Sequence, residues 1–143
     1  MAQLLEFATR HPLLVGATLL MLVAVVFYEL RLRSRTGTAV SPHEAVRLMN
    51  QGAIVVDLRD AGRFEARHIV DAVNISPAAL EADPEGRLKK KRPAIIVCET
   101  GYHSARLANA LRKTGFDKAW SLDGGIAAWE KENLPMVSAR TRS

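Results

Sequence analysis

The sequence predicts an α/β domain that follows a single membrane-spanning helix, and two observations lead to this prediction. Apolar residues crowd into the first thirty of the 143 positions, whereas the rest of the chain has the composition of an ordinary soluble domain. In that second part, β-branched runs alternate with amphipathic segments that carry helix-capping signals. Strands that alternate with helices at this spacing are typical of a parallel sheet with helices on both faces.

The apolar run covers residues 12–28, where seventeen consecutive residues carry no charge. As a helix it is about 26 Å long, and extension to Leu30 predicts a membrane-spanning segment of residues 12–30 after a short tail of residues 1–11. A secretory signal peptide would need a small-x-small cleavage site after the run, but a charged segment with three arginines follows. A buried core helix would show polar residues at helical spacing, and only Thr18 interrupts the run.

The charges that flank this segment predict its orientation. Arg10 is the only basic residue before it, whereas Arg31, Arg33 and Arg35 follow it closely. The positive-inside rule then places the carboxyl-terminal side in the cytoplasm. The single cysteine of the chain agrees with this side, because an unpaired thiol is expected in a reducing compartment.

After a basic linker of residues 31–38, the domain is predicted to cover residues 39–143. Its first helix has a clear start, since Ser41 is a suitable N-cap, Pro42 suits the first turn and Glu44 completes a capping box. A glycine just past the end of the pattern marks its carboxyl terminus.

Four runs in the domain have strand character, and one segment between the last two has helical periodicity. The predicted strands are residues 53–58, 72–75, 94–97 and 118–122, and the helix is residues 104–114, ending at Gly115.

Composition and charge exclude several function classes. One cysteine and four scattered histidines make an internal disulfide impossible and a zinc site a poor interpretation. The net charge of +5 has one dense source, residues 89–92 (KKKR), which have no aromatic neighbour on which bases could stack. We interpret this run as a solvated loop and predict no nucleic-acid partner.

Cys98 is the strongest candidate for chemistry, because it follows a buried strand and precedes a helix that begins near Ser104. Ligands of parallel sheets bind at this edge. Gly101 permits a turn that aims backbone N–H groups at the sulfur, and the helix amino terminus adds partial positive charge. Both effects favour the thiolate and would stabilise an additional negatively charged sulfur. A cysteine at a strand end is more often a packing residue, but packing alone does not need a glycine-containing turn beneath it.

The domain resembles the rhodanese family over nearly all of residues 39–143. The resemblance is carried by residues 55–59 (VVDLR), 64–75 (FEARHIVDAVNI), 95–105 (IIVCETGYHSA) and 122–129 (LDGGIAAW), followed by Leu134 and Pro135. Each pattern is weak alone, but their common order and spacing are specific. The resemblance implies a sheet of about five strands and, with the amino-terminal segment, a rhodanese tethered to the bacterial inner membrane.

The resemblance also implies roles for individual residues. Cys98 is the expected nucleophile and sulfur acceptor. The expected cradle for the sulfur consists of Glu99, Thr100, Gly101, Tyr102 and His103. The residues expected to brace the fold beside the loop are Asp57, Arg59, Glu65 and His68. For Arg59 and Glu65, a structural ion pair is preferred over contact with substrate, and Trp120 and Trp129 are expected to be packing residues.

Three residues depart from the family pattern. Glu99 and His103 stand where family loops often carry arginine, and Arg67 stands where glycine is usual. The change at position 67 is expected to be a surface change. A carboxylate next to the cysteine disfavours a small anionic donor such as thiosulfate, so poor turnover of that donor is expected even with an intact thiol.

The leading function hypothesis is a sulfurtransferase or persulfide carrier at the inner face of the membrane. It takes sulfur from a small sulfane-sulfur donor or a persulfidated protein, passes it to a thiol or protein acceptor, and needs no metal or organic cofactor. A cysteine phosphatase is disfavoured, since it needs an arginine six positions after the cysteine, where Ser104 stands and Arg106 comes too late. A membrane-tethered interaction module with a partly degenerate site remains the alternative.

Overall fold

The structure is a computed structural model that describes residues 2–139. The chain divides into two compact units, Met1–Arg35 and Thr36–Ser143. The last four residues of the predicted domain, 140–143, lie outside the described residues.

The first unit consists of two helices, α1 (Ala2–Arg10) and α2 (Pro12–Arg35). Within α2, the segment Pro12–Glu29 has a mean hydropathy of 2.0 and none of it is buried, so it is long and apolar enough to cross a membrane. The helix continues to Arg35 through most of the predicted linker, because no glycine or proline interrupts residues 17–35. A single 3₁₀ turn, Thr36–Thr38, connects α2 to the domain.

The second unit is an α/β domain with seven strands and six helices among its described residues. The strands are β1 (Ala39–Val40), β2 (Ile54–Asp57), β3 (His68–Ile69), β4 (Val73–Asn74), β5 (Ala94–Val97), β6 (Ala119–Leu122) and β7 (Met136–Val137). The helices are α3 (Pro42–Asn50), α4 (Ala61–Ala66), α5 (Pro77–Ala82), α6 (Pro84–Arg87), α7 (Tyr102–Lys113) and α8 (Gly125–Lys131).

Five of the strands form one sheet in the order β1-β6-β5-β2-β4, and every pairing in it is parallel. The predicted fold class, a parallel sheet of about five strands with helices on both faces, is confirmed. The predicted strand at residues 72–75 is shorter in the structure, where only Val73–Asn74 pair with β2. A second sheet of two antiparallel strands, β3 and β7, has no counterpart in the sequence prediction, since two-residue strands carry no measurable periodicity.

The central strand β5 is buried on both faces, which explains its unbroken apolar sequence. Ala94 and Ile96 pack in one core cluster with residues of α7, and Ile95 and Val97 pack in the other with residues of α8. Trp129 fills the α8 side, where its indole N–H donates to the carbonyl of Pro135 at 3.1 Å. Trp120 is half-buried beneath the guanidinium of Arg112. Both tryptophans are therefore packing residues.

The capping box predicted at the start of α3 is present. The backbone N–H and the hydroxyl of Ser41 each lie 3.0 Å from the Glu44 carboxylate, and the Glu44 N–H donates to the Ser41 hydroxyl. The bonds from the Ser41 backbone and then from its hydroxyl lower the pKa of Glu44 below its ordinary value. Glu44 therefore favours folding when it is ionised.

This pKa shift predicts a pH-dependent stability difference between the protein and its Glu44→Gln variant. A carboxyl whose pKa is lowered by folding contributes fully above its ordinary pKa, and the contribution is lost as the pH falls through the lower folded value. We expect Glu44→Gln to have a lower urea midpoint at pH 7 and the two midpoints to converge below about pH 4. Tryptophan fluorescence measures this, since both tryptophans are in the domain. A midpoint difference that stays constant with pH would contradict the assignment.

Candidate active site

Cys98 lies at the carboxyl end of the central strand β5, at the start of the loop that leads into α7. Its side chain belongs to the core cluster on the α7 face, and the residue is 5% exposed. The thiol also forms part of the floor of an open cavity of about 360 Å³, which the structure places at this edge of the sheet. Cys98 is thus a core residue whose sulfur borders a cavity.

Backbone donors converge on the Cys98 sulfur. The N–H of Gly101 donates to Sγ at 3.1 Å, and the N–H of Ser104, in the first turn of α7, lies 3.5 Å from it. The Ser104 hydroxyl is 3.5 Å from Sγ and donates to the Gly101 carbonyl at 3.1 Å. Amide donors aimed at one atom stabilise negative charge on it, and no side-chain cation is required for this.

The loop is held in this shape from the opposite side by the amino terminus of α8. The N–H of Ile126 donates to the carbonyl of Cys98 at 3.0 Å, and the N–H of Ala127 donates to that of Glu99 at 3.2 Å. At Gly125 a Cβ would overlap the Cys98 carbonyl oxygen and lie 2.6 Å from that of Glu99. At Gly101, where φ is +87°, a Cβ would lie 3.0 Å from the carbonyl of Leu122. Both glycines are required by close backbone contacts.

Arg59 borders the cavity and is fixed by Asp57. The buried Asp57 carboxylate accepts three bonds from the Arg59 side chain, at 2.7, 3.0 and 3.1 Å, and one from the Arg59 N–H. Burial alone would lower the pKa of Arg59, but the bonds and charge of Asp57, followed by the charges of Glu99 and Glu130, raise it. The guanidinium, only 8% exposed, is therefore a permanent charge in a fixed position.

Glu99 is paired with two arginines across the cavity. Its carboxylate lies 3.3 Å from Arg63 on α4 and 3.8 Å from Arg59. The lining residues are Leu58, Arg59, Asp60, Arg63, Pro77, Cys98, Glu99 and His103. The carboxylate that departs from the family pattern is thus neutralised by residues from another part of the sequence.

Of the other predicted site residues, not all line the cavity. His103 lines the cavity with its exposed ring, and Tyr102, 60% exposed, contacts it edge-on at 5.4 Å. Thr100 is exposed in the loop. His68 stacks on Phe64 and donates from Nδ1 to its carbonyl at 2.7 Å, so it joins β3 to α4 away from the lining.

The predicted ion pair between Arg59 and Glu65 is not formed, and the prediction is wrong for Glu65. Arg59 instead turns back onto Asp57, which precedes it by two residues, and its second charged neighbour is Glu99. Glu65 lies on the exposed side of α4, where an ion pair would be screened by water. Among residues whose side chains the structure describes, no cation lies within ion-pair distance of Glu65.

Four contributors were missed by the sequence analysis: Ser104, Arg63, Gly125 and Asn74. Asn74 at the end of β4 donates to the carbonyls of Asp57 and Arg59 at 3.0 and 2.8 Å and so holds the turn that carries Arg59. The paired glycines at 124 and 125 were a usable signal for the contact with the loop. Arg63 had no local signal. No group of three or more metal-ligating side chains occurs among the described residues.

Comparison with known proteins agrees with this geometry. A family model described as Rhodanese-like domain matches residues 41–132. The "Uncharacterized protein YibN" of Escherichia coli K12 is 36% identical over 98% of this chain and 100% of its own length. The "Thiosulfate sulfurtransferase GlpE" of Actinobacillus pleuropneumoniae serotype 3 is 35% identical over 74% of this chain and 98% of its own. The crystal structure of BH2092 from Bacillus halodurans superimposes with a TM-score of 0.62 at 26% identity, covering 81% of this chain and 85% of that one.

The contact between Gly125 and the loop predicts a larger loss of stability than backbone strain alone. Gly125→Ala must accept a positive φ of 61° and also displace the carbonyls of Cys98 and Glu99. Gly52→Ala is the matched control, because its φ of 93° is at least as unsuited to alanine while nothing lies within 4 Å of the added carbon. We expect about 1–2 kcal/mol for the control and at least about 1 kcal/mol more for Gly125→Ala in urea unfolding. Equal losses would show that the loop does not depend on this contact.

Proposed function

The chain belongs to the rhodanese-like family, and from this premise we propose that it is a membrane-anchored sulfurtransferase that carries sulfur as a persulfide on Cys98. The observation that carries the proposal is the set of backbone N–H groups directed at the Cys98 sulfur. A thiolate carries its charge on Sγ, so these donors stabilise the attacking form of the cysteine, and the same atom becomes the inner sulfur of the persulfide.

The proposed reaction has two steps. In the first, the Cys98 thiolate attacks the outer sulfur of a donor such as thiosulfate. The new S–S bond forms as the donor's S–S bond breaks, and sulfite leaves with the electron pair of the broken bond. In the second, an acceptor thiolate attacks the outer sulfur of the Cys98 persulfide. The acceptor then carries the sulfur and the Cys98 thiolate is regenerated.

The charged residues that line the cavity support a preference for some sulfur donors over others. Arg59 and Arg63 are cations that an anionic donor would need, but Glu99 already pairs with both of them. A dianionic donor must therefore displace the Glu99 carboxylate or bind beside it, whereas a persulfide donor, with a single negative charge, meets a weaker repulsion. The site is proposed to favour persulfide donors of low charge over thiosulfate.

The alternative function is an interaction module with a degenerate site, and some of the same residues bear on it. It is favoured by Glu99 in the loop and by the exposed side chain of Tyr102. It does not account for the donors on the Cys98 sulfur, nor for Gly125, whose missing side chain leaves room only for the loop. A surface that binds partners through its exterior needs neither feature, so sulfur transfer is the better proposal.

The proposed anchor is the segment Pro12–Glu29 of α2. It has the length and hydropathy of a membrane span, and arginines at 31, 33 and 35 follow it against a single one at position 10. This bias supports a domain on the cytoplasmic side of a bacterial inner membrane. A secreted form would require cleavage after the span, where the sequence is charged.

The persulfide proposal predicts that the protein gains one sulfur atom when it is incubated with thiosulfate or with an organic persulfide. Intact-protein mass spectrometry measures the gain, and cyanide or a reducing thiol should remove it. Cys98→Ser should take up no sulfur, while its urea midpoint stays close to that of the parent because oxygen replaces sulfur at the same position. If the parent takes up no sulfur from either donor, the interaction module becomes the leading function.

The pairing of Glu99 predicts donor selectivity. Glu99→Gln removes the competing negative charge and frees Arg59 and Arg63 for an incoming anion. We expect kcat/KM for thiosulfate, a dianion, to rise about tenfold, which corresponds to about 1.4 kcal/mol, and kcat/KM for a singly charged organic persulfide to rise only about threefold, because it carries half the charge. Glu81→Gln, an exposed carboxylate on α5 that does not line the cavity, is the control and should change neither. A rise of equal size for both donors would contradict the electrostatic explanation.

The proposed anchor predicts retention in membranes through a carbonate wash, and release of a folded, soluble domain when residues 1–35 are deleted.

The proposed orientation is tested with a cysteine on the domain surface. Asn109→Cys in a Cys98→Ser background places a thiol on an exposed position of α7. An impermeant thiol reagent should label it only after the cells are permeabilised. Labelling in intact cells would place the domain outside, and aggregation of the truncated chain would make α2 part of the domain core.

A further inference from the structure

The five parallel strands all begin at one edge of the sheet and end at the opposite edge, and the two edges carry different residues. Cys98 follows β5 at the edge where the strands end, whereas the chain enters through Thr36–Thr38 at the edge where β1 and the other strands begin. Between the start of β5 and Cys98 there are four strand residues, which correspond to about 13 Å. The cavity and the entry point of the chain are therefore on opposite edges of the sheet.

The edge where the strands begin carries a concentration of exposed cations, here called the basic edge. It consists of Lys89, Lys90, Lys91, Arg92, Lys113 and Lys118, and all six are exposed. Five of the six lysines in the whole chain lie here, and the sixth is Lys131. In the two turns that contribute these cations, residues 88–93 and 113–118, Asp117 is the only acidic residue.

The fold joins these turns into one surface. The N–H of Ala94 donates to the carbonyl of Lys118 at 3.0 Å, which ties the turn before β5 to the turn before β6. Arg92 donates to the carbonyl of Gly52 at 2.8 Å and so adds the turn before β2. Lys90 pairs with Glu85 and lies over the ring of Phe116. For Lys89, Lys91 and Lys118, no carboxylate among the described side chains is within ion-pair distance.

We propose that the basic edge binds the headgroups of anionic lipids in the membrane that anchors the chain. The proposal rests on the anchoring proposed above and adds a second, electrostatic contact. Nine residues, 30–38, connect the proposed anchor to β1, so the covalent link from the membrane segment enters the domain at the edge that carries these cations. Each basic residue near an anionic bilayer surface strengthens binding about fivefold.

A nucleic acid is a poorer partner for the same charges. Binding of single strands combines cations with exposed aromatic rings on which bases stack. The aromatic residues nearest to the basic edge are Phe116, which is buried, and Trp120, whose ring is covered by Arg112 at 4.1 Å. A bilayer surface requires charge alone. Contact through the basic edge would also leave the Cys98 cavity, at the other edge, open to soluble donors and acceptors.

Lysine labelling of the full-length chain in vesicles tests the proposal. The chain is reconstituted into vesicles of phosphatidylcholine alone or with about 30% phosphatidylglycerol, and a short pulse of an impermeant amine reagent modifies only domains on the outside. We expect phosphatidylglycerol to slow labelling of Lys89, Lys91 and Lys118 about fivefold, and 0.5 M NaCl to reverse the effect. Lys131 is the internal reference, since the preceding residue pairs with Arg67 near the cavity edge, and its rate should not change.

Paired charge-removal variants locate the contact. Lys89→Gln with Lys91→Gln should abolish most of the protection of Lys118, because two of the cations that hold the edge to the surface are gone. Arg67→Gln with Arg106→Gln removes the same charge from exposed positions outside the basic edge, and protection should remain. Equal loss in both pairs would show that net charge, rather than this edge, causes the effect and would overturn the proposal.

The outcomes separate this inference from the anchoring on which it rests. A chain that carbonate removes from phosphatidylcholine vesicles disproves the anchor itself. A chain that is retained, but whose lysines react at the same rates in both kinds of vesicle, leaves the anchor intact and disproves binding at the basic edge. Protection that follows addition of RNA, and not phosphatidylglycerol, would assign the edge to a nucleic acid and equally overturn the proposal.

Discussion

The shape of the cysteine loop depends on two hydrogen bonds from the amino terminus of α8, from Ile126 to the carbonyl of Cys98 and from Ala127 to that of Glu99. These bonds fix the orientation of the first two peptide units of the loop, and beyond them the chain turns so that the N–H groups of Gly101 and Ser104 face the sulfur. Gly125 permits this contact because a side chain there would occupy the place of the loop backbone. The donors on Sγ are thus a consequence of how a helix late in the sequence packs under a loop that precedes it.

The charged side chains around the cavity also hold one another in position. Asp57 fixes Arg59, and Asn74 fixes the turn between them through backbone carbonyls. Glu99 then finds two cations within 4 Å, one fixed and one on the exposed face of α4. A carboxylate that looks repulsive in the sequence is in the folded protein a competitor for the same arginines that a donor would use. Under the proposed function, selectivity between donors depends on the strength of that competition rather than on the absence of cations.

The parallel sheet places the Cys98 cavity and the entry point of the chain at opposite ends of its strands. Because all its strands run in one direction, the loops that build the sulfur site gather at one edge, and the entry of the chain with five of its six lysines gathers at the other. In the proposed arrangement, the domain contacts the bilayer with the edge that has no catalytic role, and the cavity stays accessible. The two proposed functions are compatible because about 13 Å of buried β5 lies between the two edges.

Features that depend on neighbours along the chain could be predicted from the sequence. These were the apolar run of α2, the capping box at Ser41, the buried strand β5, and a cysteine followed by a glycine turn and a helix. Each is set by periodicity, capping or backbone freedom within a few residues. The sequence motifs also placed Asp57 and Arg59 near the site, but not their mutual pairing, and they assigned Glu65 a partner that it does not have.

Contacts between residues that are distant in the chain became visible in the folded domain alone. The pairing of Glu99 with Arg63 crosses thirty-six positions, and the contact of Gly125 with Cys98 crosses twenty-seven and joins the ends of the neighbouring strands β6 and β5. The basic edge likewise arises from turns that are far apart in the chain and adjacent only because β5, β6 and β2 pair in parallel. Such contacts cannot be deduced from local pattern, because strand order and helix packing, which minimise exposed apolar surface over the whole domain, determine them.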